Sequence, residues 1–255
     1  MNRISKLAVS QALTNLGIAK GDNLFVHSDL LRLGFPADGP SMYLDVLKEL
    51  IGVEGSIAAP AFTFSFMRTK KFHYKQTLPV SMGFITHQLM EQTAVLRTKH
   101  PLQSFVIDGP LADVFKRFEA KSAYSSDGYF AKLIENDVKI LLLGASPSHI
   151  SFSHLAEEHH KVPYREMLRV VGDVQFSQND IRLGADFNFF ARNLEDDVKL
   201  GGYDLLVTEL LNEHRGRCIA LGKCDLFFVK ASDYIEHLNK KLSKNPYWLV
   251  DNYGV

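Results

Sequence analysis

The sequence has little of several features that mark particular classes of protein. It holds only two cysteines among 255 residues, Cys218 and Cys224, and their spacing is not that of a metal site. We therefore expect reduced thiols and a cytoplasmic protein. Lys and Arg together number 29, as do Asp and Glu, so the formal net charge is zero. This balance does not favour nucleic acid or an anionic membrane as a partner. No apolar run approaches the ~20 residues of a membrane span, and the N-terminal residues lack the order of a signal peptide.

Short motifs for several cofactors are also missing. The absence of Gly-x-Gly-x-x-Gly and of Gly-x-x-x-x-Gly-Lys-Ser/Thr leaves nothing to indicate dinucleotide binding or ATP hydrolysis. His-Glu-x-x-His is absent too, although four histidines crowd one stretch: His149, His154, His159 and His160. His154 and His159 are five residues apart, which points their rings to different faces of a helix. We predict no metal site, with His159 and His160 at the surface.

Residues 139–165 have the pattern of a strand, a polar loop and a helix. Residues 140–143 form an apolar run closed by Gly144, which is typical of a strand buried on both faces. Four serines follow, any of which could cap a helix that begins near His154 and ends before Pro163. Open α/β sheets carry their chemistry just beyond the carboxyl ends of central strands. This stretch is therefore the first candidate for a functional site.

The predicted helix brings an imidazole and a carboxylate together. His154 and Glu157 are three residues apart, and His154 and Glu158 four apart, so either glutamate shares a helix face with the ring. A carboxylate beside a histidine fixes its tautomer and suits the ring to accepting a proton near neutral pH. The alternative is a weak pair on a solvated helix face.

A second candidate site follows another predicted strand, residues 23–26. The polar segment His27-Ser28-Asp29 emerges at the carboxyl end of this strand. Its backbone amides and the Ser28 hydroxyl suit an amide-rich chain or a phosphate. The alternative is a capped turn that leads into a helical segment at Leu30.

Other segments bear on substrate binding and domain organisation. Residues 62–78 form a long basic and aromatic connection, which is either a lid that grips a phosphate or a solvated surface loop. Residues 111–120 predict an amphipathic helix, and alternation within 166–192 predicts an antiparallel hairpin. An acidic run, residues 195–197, would suit a polycation. We expect one domain over 1–255, with the hairpin as a subregion on the substrate side.

Several of these blocks resemble those of one enzyme family. Gly-Ala-Ser, Ser-His-Leu-Ala-Glu-Glu and Val-Pro-Tyr-Arg occur in order within residues 144–165. Residues 21–34 contain Gly-Asp and Val-His-Ser-Asp-Leu, and Ala-Pro-Ala-Phe-Thr, Met-Gly and His-Pro-Leu-Gln-Ser follow at residues 59–63, 82–83 and 100–104. Together they resemble the aminoglycoside 3-N-acetyltransferases, the antibiotic N-acetyltransferase family.

The resemblance implies a fold and a set of site residues. The expected fold is a three-layer αβα arrangement with a central mixed sheet. The expected activity is acetyl transfer from acetyl-CoA to an amine of an amino sugar, with His154 as general base and Glu157 orienting it. The residues expected to bind coenzyme A are His27, Ser28, Asp29, Leu30, His100, Ser104 and Tyr129. Those expected to bind the substrate are Thr63 and Glu158.

One block departs from the family pattern, and some alternatives stay open. The family usually has Gly-Ser-Pro-x-Gly-Lys-Leu where residues 127–133 read Asp-Gly-Tyr-Phe-Ala-Lys-Leu, which leaves the phosphate contacts of coenzyme A unassigned. A Cys–His acyl-enzyme is disfavoured, because Cys218 and Cys224 lie in apolar strand-like runs where thiols are inert. A binding protein that keeps the fold without catalysis is the alternative function.

The substrate and the oligomeric state are less constrained. The basic 68–75 segment slightly favours a nucleotide-linked amino sugar, and an aminoglycoside, with a role in antibiotic resistance, is the second choice. The expected partner is thus a small-molecule amine, with neither nucleic acid nor membrane. The chain is expected to be a monomer or a homodimer.

Overall fold

The computed structural model describes residues 3–39, 41–193 and 198–251. The strands are β1 (Arg3–Ile4), β2 (Asn23–Ser28), β3 (Phe35–Pro36), β4 (Ser56–Pro60), β5 (Lys71–His73), β6 (Leu96–Arg97), β7 (Phe105–Asp108), β8 (Lys139–Leu143), β9 (Arg165–Ser177), β10 (Asp180–Arg192), β11 (Gly216–Leu221) and β12 (Cys224–Lys230). The helices are α1 (Lys6–Leu16), α2 (Leu30–Leu33), α3 (Met42–Ile51), α4 (Phe66–Thr69), α5 (Phe84–Met90), α6 (Ala112–Phe115), α7 (Tyr129–Glu135), α8 (Ser153–His160), α9 (Tyr203–Asn212) and α10 (Ala231–Leu242), with a 3-10 turn at Pro147–His149. None of these helices is long and apolar enough to cross a membrane.

A seven-stranded mixed sheet is the centre of the fold. Its strand order is β11-β12-β8-β2-β4-β7-β6. The three middle strands, β8, β2 and β4, run parallel to one another, and the outer strands pair antiparallel. The parallel strands bring their carboxyl ends to one edge, so the loops after β2, β4 and β8 meet there. The predicted mixed sheet is confirmed.

Alternate side chains of the middle strands enter two separate cores. Leu24, Val26 and Leu141 pack on one side of the sheet with apolar residues of α1 and α3. Phe25 and Ile140 pack on the other side with residues of α7, α8, α9 and α10. A strand buried on both faces has no polar alternation, which explains the continuous apolar runs in the sequence.

A second, smaller sheet accompanies the seven-stranded one. It has three strands in the order β10-β9-β5, with β9 and β10 antiparallel and Ser177 opposite Asp180. Residues 62–78 are therefore not a bare loop, because they contain α4 and β5, and β5 pairs with β9. Phe66 and Phe72 hold this segment down, since both are buried in a third apolar cluster. Burial of those two rings offsets the cost of ordering the basic residues between them.

Two local expectations are corrected by the structure. Within the predicted 111–120 helix only Ala112–Phe115 is helical; the chain then turns and places Phe118 against Tyr129, with ring centres 5.1 Å apart. Packing of the aromatic rings overrides local helix propensity here. No serine side chain caps α8, and Ser153 instead shares a 2.7 Å hydrogen bond with the Tyr234 hydroxyl.

Candidate active site

A cavity of about 740 Å³ lies where the loops after β2, β4 and β8 meet. Its wall is built from the end of β2 and the loop that follows, from Pro60 and Phe62 after β4, from residues 81–87 at the start of α5, and from the loop between β8 and α8. Most of this wall is apolar. The polar groups are concentrated at the ends of β2 and β8, as expected for an α/β ligand site.

The end of β2 contributes four of the residues predicted to bind coenzyme A: His27, Ser28, Asp29 and Leu30. His27 is buried, and its Nε2 accepts a long hydrogen bond of 3.5 Å from the Ser151 backbone amide. Burial, assisted by neighbouring histidines, lowers the pKa of His27 to about 3, so the ring is neutral. The Ser28 hydroxyl is buried in the cavity wall with no partner among the described residues. A buried hydroxyl of this kind is a ready contact for a polar ligand.

Two glycines allow the neighbouring loops to approach this strand end. Gly83 and Gly144 have φ of +85° and +78°, a region that side chains disfavour. A Cβ at Gly83 would lie 2.5 Å from the Ser28 carbonyl oxygen, and a Cβ at Gly144 would lie 2.5 Å from that of Asp29. Both approaches are too close for any side chain. Each glycine is thus required for the shape of the cavity.

A histidine–glutamate pair lies on α8 beside the cavity. His154 Nδ1 lies 2.5 Å from Glu157 Oε2, and the His154 side chain is 28% exposed where it lines the cavity. Glu157 has no exposed surface. Because an ionised carboxylate only accepts hydrogen bonds, Nδ1 carries the proton. The other ring nitrogen, Nε2, is then the one available to a molecule in the cavity.

Two residues after α8 complete the surroundings of Glu157. The Tyr164 hydroxyl donates to Oε1 at 3.0 Å. Arg165 Nε lies 2.9 Å from Oε2, in an ion pair rather than a well-aligned hydrogen bond. Both residues were visible in the Val-Pro-Tyr-Arg block, but spacing alone gave them no role. Their function depends on the chain turning back after α8, which the sequence does not specify.

The charges of this cluster favour a neutral base beside an ionised carboxylate. Burial lowers the pKa of His154, and the Arg165 cation acts in the same direction against the opposing effect of Glu157. Burial alone would raise the pKa of Glu157, but His154 and Arg165 together lower it. At neutral pH the ring of His154 is therefore uncharged and can accept a proton.

Three other predicted coenzyme residues, His100, Tyr129 and Ser104, do not reach the cavity. His100 is fully buried, with Nδ1 accepting from the Gln103 amide at 3.0 Å and Nε2 donating to the Lys121 carbonyl at 3.2 Å. Burial lowers the pKa of His100 to about 4. Tyr129 is also fully buried and packs against Phe118. These side chains support the core rather than line the cavity.

The same holds for Ser104 and Thr63. The Ser104 hydroxyl accepts from Arg97 Nε at 3.0 Å and donates to the Ala61 carbonyl at 2.8 Å. The Thr63 hydroxyl donates to the Pro101 carbonyl. Neither side chain lines the cavity, and both fasten the chain after β4 to its neighbours. Their sequence blocks mark the position of this wall without supplying its polar groups.

The remaining candidates lie outside the cavity or outside the described residues. Glu158 is half-buried and accepts hydrogen bonds of 3.0 and 3.2 Å from the Ser122 hydroxyl. The acidic run at 195–197 lies outside the described residues. Lys71 and His73, in the basic segment, line a second cavity of about 400 Å³ beside the smaller sheet.

The two cysteines of the chain do not contribute to the cavity. Cys218 is exposed and Cys224 is half-buried, so their apolar strand-like runs do not bury these two thiols. They lie on β11 and β12, and neither is among the residues that line the cavity. Among the described residues no cluster of three or more His, Cys, Asp or Glu side chains is placed to hold a metal ion.

Comparison with known proteins identifies the family. The family model for aminoglycoside 3-N-acetyltransferase matches residues 25–243. The chain belongs to the aminoglycoside 3-N-acetyltransferase family. The resemblance of the sequence blocks is thereby confirmed, as is the expectation of an N-acetyltransferase.

Individual members of the aminoglycoside 3-N-acetyltransferase family have low sequence identity to this chain, but the similarity covers most of both chains. Aminoglycoside N(3)-acetyltransferase IX of Micromonospora chalcea is 23% identical, covering 89% of this chain and 89% of the relative. The structure of AAC-IIIb with CoASH is similar with a TM-score of 0.79 at 22% identity, over 95% of this chain and 97% of that one. Sisomicin-bound AAC-VIa gives a TM-score of 0.80 at 20% identity, over 95% and 99% of the two chains. These likenesses confirm a mixed α/β fold with a central mixed sheet.

The close approach at Gly144 generates a stability prediction. Gly144→Ala should lower the free energy of unfolding by about 3 kcal/mol, because left-handed strain and a clash with the Asp29 carbonyl add together. Gly21→Ala is the matched control, since φ is +83° there and no atom lies within 4 Å of the added carbon. The control should lose only about 1–2 kcal/mol. Equal losses in chemical denaturation would show that the approach at Gly144 is not tight.

Proposed function

We propose that this protein transfers the acetyl group of acetyl-CoA directly to an amine of an aminoglycoside, with His154 as the general base. The observation that carries the proposal is the His154–Glu157 pair beside a large cavity, in a member of an acetyltransferase family. An amine needs to lose a proton as it attacks a thioester, and a neutral imidazole is suited to accept it.

The cavity fits the arm of coenzyme A that carries the acetyl group. Its volume lies within the roughly 300–1,000 Å³ typical of small-molecule sites, and its wall is largely apolar. The unpartnered Ser28 hydroxyl supplies a polar contact for an amide of that arm. The related AAC-IIIb was solved with CoASH, which supports the same co-substrate here. Acetyl-CoA is thus the donor, and the contacts of Ser28 and its neighbours with it are part of the proposal.

In the proposed reaction the chain's residues hold and move protons. His154 Nε2 accepts the proton that the amine nitrogen loses as it forms a bond to the thioester carbon. Glu157 holds Nδ1–H throughout, stabilises the imidazolium and remains ionised. The carbon–sulfur bond then breaks, the coenzyme sulfur leaves with the electron pair, and the imidazolium returns the proton to it. The products are the N-acetylated amine and free coenzyme A, so no oxidant or metal is required.

Direct transfer fits the positions of the two thiols. Cys218 and Cys224 lie on the β11–β12 hairpin and do not line the cavity. Partial loss of solvent, with the nearby Asp225 carboxylate, raises the pKa of both thiols, which leaves them poor nucleophiles at neutral pH. An acyl-enzyme on either cysteine would require that cysteine's thiol to move into the cavity. Direct attack by the bound amine needs no such motion.

An aminoglycoside is the substrate class that the relatives favour. The curated relatives of this chain are named aminoglycoside N(3)-acetyltransferases, and the similar AAC-VIa was solved with sisomicin. The basic segment that suggested a nucleotide-linked sugar does not line the main cavity, and its Lys71 and His73 border the smaller one. We therefore place the aminoglycoside first. A role in antibiotic resistance follows from that substrate.

A binding protein without catalysis is the weaker alternative. The Glu157 carboxylate is fully buried and held by His154, Tyr164 and Arg165. Burying such a charge costs free energy, and a protein that only binds a ligand would gain nothing from it. The lowered pKa of His154 also keeps the ring ready to accept a proton. Both observations support the enzyme. The cytoplasmic location and the monomeric or dimeric state stay predictions.

Substitutions on α8 test the proposed base. His154→Ala should reduce kcat by ~10²–10⁴ with little change in acetyl-CoA affinity, because the proton acceptor is lost while the cavity remains. Glu157→Gln should lower kcat in the same direction by less. The matched control is His160→Ala, on the same helix but bonded to Asn239 outside the cavity. Wild-type turnover in His154→Ala would contradict the mechanism.

The pH dependence of kcat/KM tests the assignment of His154 as the base independently of the substitutions. Because the pKa of His154 lies below its ordinary value, kcat/KM should be sustained at neutral pH and fall as acidity protonates the ring. The fall should occur below about pH 6.5, the ordinary pKa of histidine. In His154→Ala the residual kcat/KM should not show the same fall at acidic pH, because the group that titrates there has been removed.

The substrate class is tested by product analysis. The protein is incubated with acetyl-CoA and a panel containing aminoglycosides, simple amino sugars and nucleotide-linked amino sugars. Mass spectrometry should show one added acetyl group on aminoglycosides and release of free coenzyme A in equal amount. The His154→Ala protein, checked for folding, is the control for non-enzymatic acetylation. Acetylation of the nucleotide-linked sugars alone would overturn the choice of substrate, and no acetylated product would overturn the enzymatic function.

A further inference from the structure

An aromatic ring packs against His154 from inside the protein. The ring of Tyr124 lies 5.1 Å from that of His154, centre to centre, and the two planes cross at 75°. Aromatic rings favour such a perpendicular contact. Tyr124 is only 1% exposed, so its ring belongs to the core. The contact therefore limits how far the His154 ring can tilt while Glu157 holds its Nδ1.

Helix α7 fixes the position of Tyr124 from behind. The Tyr124 ring lies 4.5 Å from that of Phe130, which is fully buried. The Phe130 backbone amide donates to the Ala123 carbonyl at 3.0 Å. A Cβ at Gly128 would lie 2.7 Å from the same carbonyl oxygen, so the start of α7 lies close against this segment. The tyrosine ring thus has little room to move away from the histidine.

A hydrogen-bonded link joins the same segment to α8. Ser122 is buried, and its hydroxyl donates to the Glu158 carboxylate, whose two oxygens lie at 3.0 and 3.2 Å. The Ser122 oxygen also accepts from the Tyr124 backbone amide at 3.3 Å. A hydroxyl can donate and accept at once, so both bonds are satisfied together. Glu158, one of the residues expected to bind the substrate, thus ties the backbone of Tyr124 to the helix that carries His154.

The hydroxyl of Tyr124 contributes little to this arrangement. It is buried with no hydrogen bond of good geometry among the described residues, although the Ser151 side chain lies near it. Burial raises the pKa of this hydroxyl, so it is protonated and neutral at neutral pH. A hydrogen bond that is not made stabilises nothing. Any effect of Tyr124 on His154 should therefore come from the ring, which phenylalanine would keep.

We propose that Tyr124 is a positioning residue for His154, and that Glu158 acts on the same ring through this tyrosine. The inference rests on the proposed function, because its consequence for turnover requires that His154 is the base. The two adjacent glutamates of α8 orient one imidazole from two sides, Glu157 directly at Nδ1 and Glu158 indirectly. A base must stay within about 3 Å of the proton that it accepts, so a tilted ring loses turnover even when both substrates still bind.

Substitutions of Tyr124 separate the ring from the hydroxyl. Tyr124→Leu should lower kcat by about 10–100-fold and leave KM for acetyl-CoA and for the amine within about twofold, because alignment is lost while the cavity remains. Tyr124→Phe should retain the wild-type kcat. Phe115→Leu is the matched control, since it removes a buried ring from the same core, where Phe115 packs against Phe105 and Tyr129. Its kcat should match that of the wild type.

Substitutions of Glu158 test the indirect route. Glu158→Ala removes the acceptor of Ser122 and should lower kcat by about 3–10-fold, whereas Glu158→Gln keeps an accepting oxygen and should lower it less. In a Tyr124→Leu background, Glu158→Ala should cost no more than about a further twofold, because the ring through which it acts is gone. If Glu158 bound the substrate directly, both substitutions would raise KM for the amine in both backgrounds, which would contradict the indirect route.

A second readout needs no substrate. In protein labelled with ¹⁵N at histidine, the Nδ1 proton of His154 should give a sharp downfield signal in the wild type and in Tyr124→Phe, because of its short bond to Glu157. Tyr124→Leu should broaden this signal, because a more mobile ring lets the proton exchange faster with water. Glu158→Ala should broaden it to a smaller extent. Phe115→Leu should leave it unchanged.

The outcomes separate this inference from the proposed function. Either a wild-type kcat or an unchanged Nδ1 signal in Tyr124→Leu would overturn the inference and leave the function intact. An equal loss of kcat in Phe115→Leu would do the same, because it would show a general effect of a weakened core. If the wild type acetylated no amine, the proposed function would fail, and the Nδ1 signals would still decide whether Tyr124 holds the ring. Circular dichroism checks that each variant is folded, and if Tyr124→Leu is not, the signal in Glu158→Ala decides.

Discussion

The burial of one negative charge is the constraint on which this site depends. Glu157 has no exposed surface, so its carboxylate must be compensated within the protein. His154, Tyr164 and Arg165 supply that compensation from three positions around two oxygens. Removing one partner of such a buried pair typically costs about 3–5 kcal/mol, because an uncompensated charge is left behind. The cluster therefore fixes α8 to the start of β9 and orients the His154 ring.

The rest of the fold determines what that oriented ring faces. The parallel strands β2, β4 and β8 bring three loops to one edge, and Gly144 lets the loop after β8 approach the end of β2. Helix α8 begins at the end of that loop, so the ring of His154 reaches the cavity formed there. The catalytic proposal thus rests on backbone geometry at the sheet edge as much as on the histidine.

Local pattern predicted those features that depend on neighbouring residues in sequence. The predicted strands at 23–26 and 140–143 correspond to β2 and β8, and the three-residue spacing of His154 and Glu157 corresponds to the observed 2.5 Å contact. The sequence could not show that Arg165 returns to Glu157, because this contact needs the turn after α8. It also could not separate cavity residues from core residues. His100 is an example, since both of its ring nitrogens are used inside the protein.

The proposed mechanism requires a neutral His154, with its proton on Nδ1 and with Nε2 able to accept another. Long-range ¹H–¹⁵N NMR of protein labelled at histidine nitrogens reads this state directly, and the signals are assigned by their loss in His154→Ala. At neutral pH we expect a protonated Nδ1 and an unprotonated Nε2, with the Nδ1 proton shifted downfield by its short bond to Glu157. A ring protonated at Nε2, or at both nitrogens, would mean that His154 is not the neutral proton acceptor.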